Sequence, residues 1–489
     1  MTTLPKTGLF KTLRLAPLLT ACAASALLAA CAVGPRAPDT PLPPSASGAF
    51  VSSPLGSANG ATTTAEARSD WWRLYADPTL DGLIEQAFAQ NNELEAAVAN
   101  LRAVRASLSE ARSGLLPSTT TSAAASRSRA SAAVTPGVPA GENAPEIDTY
   151  DVGLQASYEI DLFGRVASTI RAANADADAQ AAALDVIRVS VAAETARAYA
   201  DACSANAQIA VAERTLGLQQ STADLTQRLL EGGAGTRLDT ARAQAALAST
   251  RAQLPSLRAA RDGALYRLAT LTGVTPAEAS QAARSCQRPP QLSQPIPTGD
   301  GAALLARRPD IRQAERALAG AAARVNVATA SLFPTISLGG SIGSTALEAG
   351  DLSDDTSYRF SFGPLISWSF PNILATRARI EAADARTDAA LATFDQTVLL
   401  ALQETETALT NYANELDRRT ALTEARDQAA DAARLARLRR DAGADSLFTV
   451  LDAQRTEAAA EAALAQSDAL VTTYQIALFK ALAGGWNQG

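Results

Sequence analysis

The chain of 489 residues has no histidine, and Phe, Trp and Tyr together make up only 5% of it. Without histidine there is no imidazole general base, and most zinc and haem sites are excluded. So few aromatics argue against several large apolar cores. There is no basic excess for nucleic acid, with 43 Lys+Arg against 50 Asp+Glu. No G-x-S-x-G, P-loop or paired-acid constellation stands out. The run Gly232-Gly233-Ala234-Gly235 lacks the preceding strand and the Lys-Ser/Thr of a phosphate loop. No Cys-x-x-Cys spacing supports a metal site. No enzyme activity, metal or cofactor is therefore expected. Alanine, by contrast, fills roughly a quarter of the chain, far above ordinary usage. Ala-rich sequence with mixed charges suits long, closely packed helices.

Lys6, Lys11 and Arg14 precede an apolar run from Leu15 to Ala30, the shape of an export signal. The run is short and Ala-rich for a transmembrane helix. It ends in Leu28-Ala29-Ala30-Cys31, which resembles a bacterial lipobox, cleaved before Cys31 and acylated on its sulfur. Residues 1–30 are then a lipoprotein signal peptide, and the remainder carries 40 basic against 50 acidic residues. Residues 31–70, rich in Pro, Ser, Gly, Thr and Ala, read as an extended tether from lipid to fold. Cys203 and Cys286 remain in an oxidising compartment. Two arrangements are open to them: a disulfide pinning a Pro-rich linker to a helix, or two separate buried thiols.

The remainder is written twice. Glu231-Gly232-Gly233-Ala234-Gly235 and Ala243-Gln244 recur 210 residues later as Asp441-Ala442-Gly443-Ala444-Asp445 and Ala453-Gln454. The same offset pairs Glu194 with Glu404. Upstream, Leu115-Leu116-Pro117 matches Leu332-Phe333-Pro334 at an offset of 217. Constant spacing of this kind marks an internal repeat. Repeat 1 is assigned to 71–287 and repeat 2 to 299–489, joined by a Pro-rich linker at 288–298. Each is expected to hold a helix, two strands, a very long helix, a Gly-containing tip and a shorter returning helix.

The strand pairs are expected at 118–161 and 335–370. Tyr150, Val152, Leu154, Ala156, Tyr158 and Ile160 alternate with Asp151, Gly153, Gln155, Ser157 and Glu159, and Tyr358, Phe360, Phe362, Pro364, Ile366, Trp368 and Phe370 alternate with Arg359, Ser361, Gly363, Leu365, Ser367 and Ser369. Period-two alternation over about eleven residues matches a strand of a membrane barrel, apolar to lipid and polar to lumen. The first strands, 118–130 and 335–344, are weaker signals. The long helices are expected over Val166–Leu230 and Thr376–Arg440, each about 100 Å at ~1.5 Å per residue. Val166, Ile170, Ala173, Ala177, Gln180, Leu184, Ile187 and Val191 step by four and three, the coiled-coil spacing. The returning helices are expected over 238–271 and 447–482, with single helices over 78–115 and 309–331 ahead of the strand pairs. Four strands cannot close a transmembrane barrel, and an open edge is not tolerated in lipid. Three copies would give twelve strands closed by cyclic symmetry.

The chain resembles the TolC-like outer membrane factors, in the lipoprotein branch labelled NodT. The resemblance rests on Cys31-Ala32-Val33-Gly34-Pro35, Trp72 … Asp77-Pro78, and Glu159-Ile160-Asp161-Leu162-Phe163-Gly164-Arg165. It continues through Arg307-Arg308-Pro309-Asp310-Ile311, Val450-Leu451-Asp452-Ala453-Gln454 and Ala483-Gly484-Gly485-Trp486. It implies a mainly α fold with a membrane β-barrel: a homotrimer whose 12-stranded barrel continues into a periplasmic α-helical barrel. The implied function is the outer-membrane exit duct of a tripartite efflux system, lipid-anchored and fed by a periplasmic adaptor and an inner-membrane pump. The alternatives are the outer-membrane component of type I protein secretion and, from another class, a periplasmic adaptor or structural coiled-coil lipoprotein. Strand alternation with an outward lipid face argues against the latter.

The tips fall at 231–237 and 441–446, where Gly233 and Gly443 supply the helix-ending turn. The Val-Leu-Asp match implies a lumen-facing acidic gate at Asp452, with Phe448 one turn earlier and Asp239 as the partner position in repeat 1. A ring of Asp452 attracts cations and a ring of Phe448 dewets the pore. Arg440 and Asp445 stand where the better-known TolC pattern has Tyr and Arg, so the closed tip needs other bonds, an Arg440–Asp239 pair among them. Arg228-Leu229 and Arg437-Leu438, beside the tip glycines, are candidate adaptor contacts.

Overall fold

The computed structural model describes residues 60–65, 68–134, 136–137, 139, 141–292, 294–369 and 373–483, with a few positions between 34 and 52. The signal peptide, Cys31 and Gly484 to Trp486 lie outside the described residues. In chain order the elements are β1 (Thr62–Thr63), α1 (Pro78–Gln90), α2 (Asn92–Ser113), β2 (Ser118–Arg129), β3 (Glu146–Ile160), α3 (Arg165–Glu231) and α4 (Arg237–Leu271). Then come α5 (Gln281–Ser285), β4 (Ile296–Pro297), α6 (Gly301–Arg307), α7 (Pro309–Ala330), β5 (Thr335–Ala346), β6 (Tyr358–Ser367), α8 (Ile373–Asp441) and α9 (Leu447–Ala481). Two compact units are present, and each draws on both repeats.

One unit contains Arg102–Ala179 and Glu315–Thr393. Its sheet is antiparallel in the order β2-β3-β5-β6, which leaves β2 and β6 as edges. Residues directly opposite in such a ladder share a face. Leu154 lies opposite Ile342 and Ile342 opposite Phe360, while Ile160, Ile336 and Ile366 line up in the same way. This face is apolar yet open: Phe360 is 76%, Phe362 77% and Ile366 66% exposed. The other face is polar. There Arg359 of β6 reaches Asp151 of β3 at 2.6 Å, and Ser341 and Ser361 bond at 2.7 Å. Past Tyr150 the apolar face turns charged, with Arg127 between Glu146 and Asp148.

The Glu159–Arg165 segment makes the turn from β3 into α3. Asp161 accepts from the Val166 and Ala167 amides, satisfying the first turn of the helix. Glu159 pairs with Arg165, and Gly164 takes φ 75°. Phe163 stacks on Phe333 at 4.6 Å, so the repeat 2 landmark packs against the repeat 1 turn. Val166, Ala177, Leu184 and Val191 of the α3 stripe are buried.

The other unit contains Pro41–Leu101, Gln180–Ala314 and Phe394–Gly489. Trp71 stacks on Phe479 at 4.8 Å at the centre of its largest core. The helix expected over 309–331 is α7, whereas the one expected over 78–115 is two elements. It is broken at Asn91, whose extended backbone parts α1 from α2 while its side chain caps α2 through Glu93 and Leu94. In repeat 2 an extended Arg308, which precedes Pro309, parts α6 from α7. These two positions are also 217 residues apart. Each grips the end of a returning helix: Asn91 donates to the Leu271 carbonyl and Arg308 to the Ala481 carbonyl. Buried Arg308 also pairs with Asp310 and with Glu404, and the equivalent Glu194 pairs with Lys480 at 3.1 Å.

The described tether residues are docked rather than free. The Val51 and Ser52 amides donate to Glu406, Phe50 is buried, and β1 pairs with β4 beside the linker. Cys203 and Cys286 form a disulfide with Cα atoms 5.1 Å apart, closing 83 residues of chain. Cys286→Ser should lower stability by about 2–4 kcal/mol. Chemical denaturation in detergent should show an earlier midpoint, and an unmoved midpoint contradicts a stabilising bond.

Candidate functional site

Both tips are built alike. The Gly233 amide donates to the Leu230 carbonyl and the Ala234 amide to the Leu229 carbonyl, with Gly233 at φ 73°. Gly443 and Ala444 repeat this on Arg440 and Arg439, again at φ 73°. These paired bonds are the Schellman ending, in which glycine takes the left-handed position without penalty. The returning helices restart under the same cap. Thr236 accepts from the Asp239 amide and Ser446 from the Thr449 amide.

Around this frame the charges are paired locally. Asp239 accepts from the Thr236 hydroxyl at 2.6 Å, completing a reciprocal cap. Arg440 lies 3.8 Å from Asp441, so the expected Arg440–Asp239 pair is not formed within the chain. Asp445 instead takes Arg439 at 2.7 Å and holds that guanidinium above its ordinary pKa by a charged hydrogen bond. Arg437 lies 3.7 Å from Glu457, and burial still pushes the Glu457 carboxyl above its usual range. Arg228 and Leu438 are exposed beside the tip glycines, while Leu229 is half-buried.

Phe448 and Asp452 come together as the sequence places them, one turn apart on α9, both lining a cleft of about 970 Å³ between α3, α4 and α9. Two arginines join them there. Arg455 pairs with Asp452 at 2.9 Å, and the Arg242 guanidinium lies 4.7 Å from the centre of the Phe448 ring. Neither was expected, although the i, i+3 spacing of Asp452 and Arg455 is a readable helix-pair signal. Arg242 lies on another helix and carries no such signal. Among the described residues no cluster of acids and cysteines suits a metal, and no helix is long and apolar enough to cross a membrane.

A mainly helical chain with one amphipathic four-stranded sheet and two matched helical tips can be compared with known proteins. Residues 83–274 and 302–484 match the family described as outer membrane efflux protein. The chain belongs to that family. It is 32% identical to the pyoverdine export outer membrane protein OpmQ of Pseudomonas putida, over 91% of this chain and 94% of that protein. It is 28% identical to nodulation protein T of Rhizobium leguminosarum bv. viciae, over 94% and 92%. Among solved structures, the outer-membrane channel OprN superposes with a TM-score of 0.85 at 36% identity, covering 93% of this chain and all of that one. The open state of the Neisseria gonorrhoeae MtrE channel gives 0.77 at 28% identity, over 93% and 98%. The chain is thus an outer-membrane efflux channel protein with the TolC-like fold, a passive exit duct rather than an enzyme.

Gly443→Ala should cost the tip about 1 kcal/mol through its left-handed backbone. Hydrogen exchange at the tip amides should quicken by about fivefold on that basis, and unchanged exchange contradicts the assignment.

Proposed function

We propose that three copies assemble into one duct. Its upper part is a 12-stranded barrel in the outer membrane, each β6 pairing with a neighbour's β2, and its helices continue as a periplasmic tunnel. The apolar sheet face supports this reading most directly. From Tyr150 to Ile160 it spans about 23 Å at ~3.3 Å per residue and ~45° tilt, close to the apolar band of such barrels. Tyr150 and Tyr358 stand at one end of the band, and Trp368 with its neighbours Phe163 and Phe333 at the other, as interfacial girdles do.

In this reading Cys31 carries lipid and the docked tether ties that anchor to the helical body. The tips form the gate, with Phe448 as the apolar constriction and Asp452 as its charge. Arg455 tempers that charge, so the cation preference is weaker than a bare acidic ring gives. Arg228, Leu229, Arg437 and Leu438 are the surface offered to a periplasmic adaptor, which links the duct to an inner-membrane pump. The OpmQ relative exports pyoverdine; a duct of this type need not read its cargo, and proton-driven drug efflux is the cargo class proposed here.

Single-channel recording in planar bilayers tests the gate. Phe448→Ala and Asp452→Ala should raise conductance, and Asp452→Ala should also lower cation preference. Arg455→Ala should move selectivity the other way, by freeing Asp452. Currents unchanged in all three contradict a gate at this turn.

A further inference from the structure

The cleft between α3, α4 and α9 is larger than a gate side chain needs. Its volume, about 970 Å³, lies at the upper end of pockets that bury a drug-sized molecule. Toward the tip, alanines of α4 and α9 face the cleft, Ala245, Ala246 and Ala458 among them, and Leu451 beside Phe448 gives an apolar floor. Gln219 and Thr250 on the wall already satisfy each other at 2.7 Å.

The charges lining the cleft are unbalanced: two arginines against one aspartate. Arg455 is matched by Asp452. Arg242 has no acidic partner among the described residues, and its guanidinium lies over the Phe448 ring. A guanidinium stacked on a ring keeps its in-plane N–H donors, and those donors fit the two oxygens of a carboxylate. The cleft thus offers an uncompensated cation beside an apolar floor.

We propose that this cleft binds an amphipathic organic anion, a planar aromatic carboxylate, with its carboxylate on Arg242 and its rings along the floor. The inference rests on reading the tips as the channel gate and adds a ligand to that gate. An occupant touching Arg242 and Ala246 of α4 and Leu451 of α9 ties the two helix pairs together near the turn that must part on opening. It therefore favours the closed tip by mass action.

The test is single-channel recording of the full-length protein, with 2-naphthoate or 2-naphthylmethylammonium added on the tip side. The naphthoate should lower the mean current saturably and the amine should not. Arg242→Gln should raise the half-effect concentration by about tenfold, the usual scale for losing a charged hydrogen bond. Ala246→Leu, which fills the cleft one turn from Arg242, should abolish the response. A conducting wild-type channel that ignores the naphthoate, or answers the amine equally, overturns the inference, as does a response kept in both variants. A protein that forms no channel at all contradicts the exit-duct reading and this inference with it.

Discussion

Everything in this chain depends on an unfinished sheet. Four strands present an apolar face with exposed phenylalanines and isoleucines, and two edge strands carry unpaired backbone donors and acceptors. In water such a face promotes aggregation, and in lipid each unpaired backbone group costs several kcal/mol. Both costs are removed when the face meets lipid and each edge meets the opposite edge of a further copy. The long helices follow from the same constraint. The start of α3 is anchored at the sheet through the Asp161 cap, with the Phe163–Phe333 stack beside it.

The repeat explains how one chain builds two matched halves with different local chemistry. The tip glycines share one ending and one φ. The grip on the returning helices is conserved in position but not in residue: Asn91 uses an amide where Arg308 uses a buried guanidinium. Ala483 occupies the place of Gly273 and is held at φ 45°, a strained value for a residue with a side chain. Packing around the end of α9 outweighs that local preference.

Much of the fold was legible in the sequence because period and punctuation agree there. β3 from Tyr150 onward and most of β6 alternate, the Gly-containing tips recur at a fixed offset, and the long helices carry small residues at many stripe positions. β2 was faint because Thr, Ser and Ala fill both of its faces, and only its pairing with β3 reveals the strand. The break at Asn91 was hidden because apolar residues continue at helical spacing on both sides of it, whereas Pro309 marked the start of α7. At the proposed gate, Phe448 and Asp452 could be placed from a motif and helical spacing. Arg242 could not, since its approach to Phe448 is made by packing between helices. The disulfide was open to two readings because nothing local brings residues 83 apart together.

Closure of the open edges by neighbouring copies is directly measurable. The direct measurement is cysteine cross-linking in membranes, with Thr121→Cys on β2 combined in turn with Ser361→Cys, Phe362→Cys and Gly363→Cys on β6. Cys203 and Cys286 are already bonded to each other and leave the background clear. At least one pair should yield covalent dimers and trimers on a denaturing gel, with nothing larger. Monomer alone from every pair, or an unbounded ladder, would contradict it.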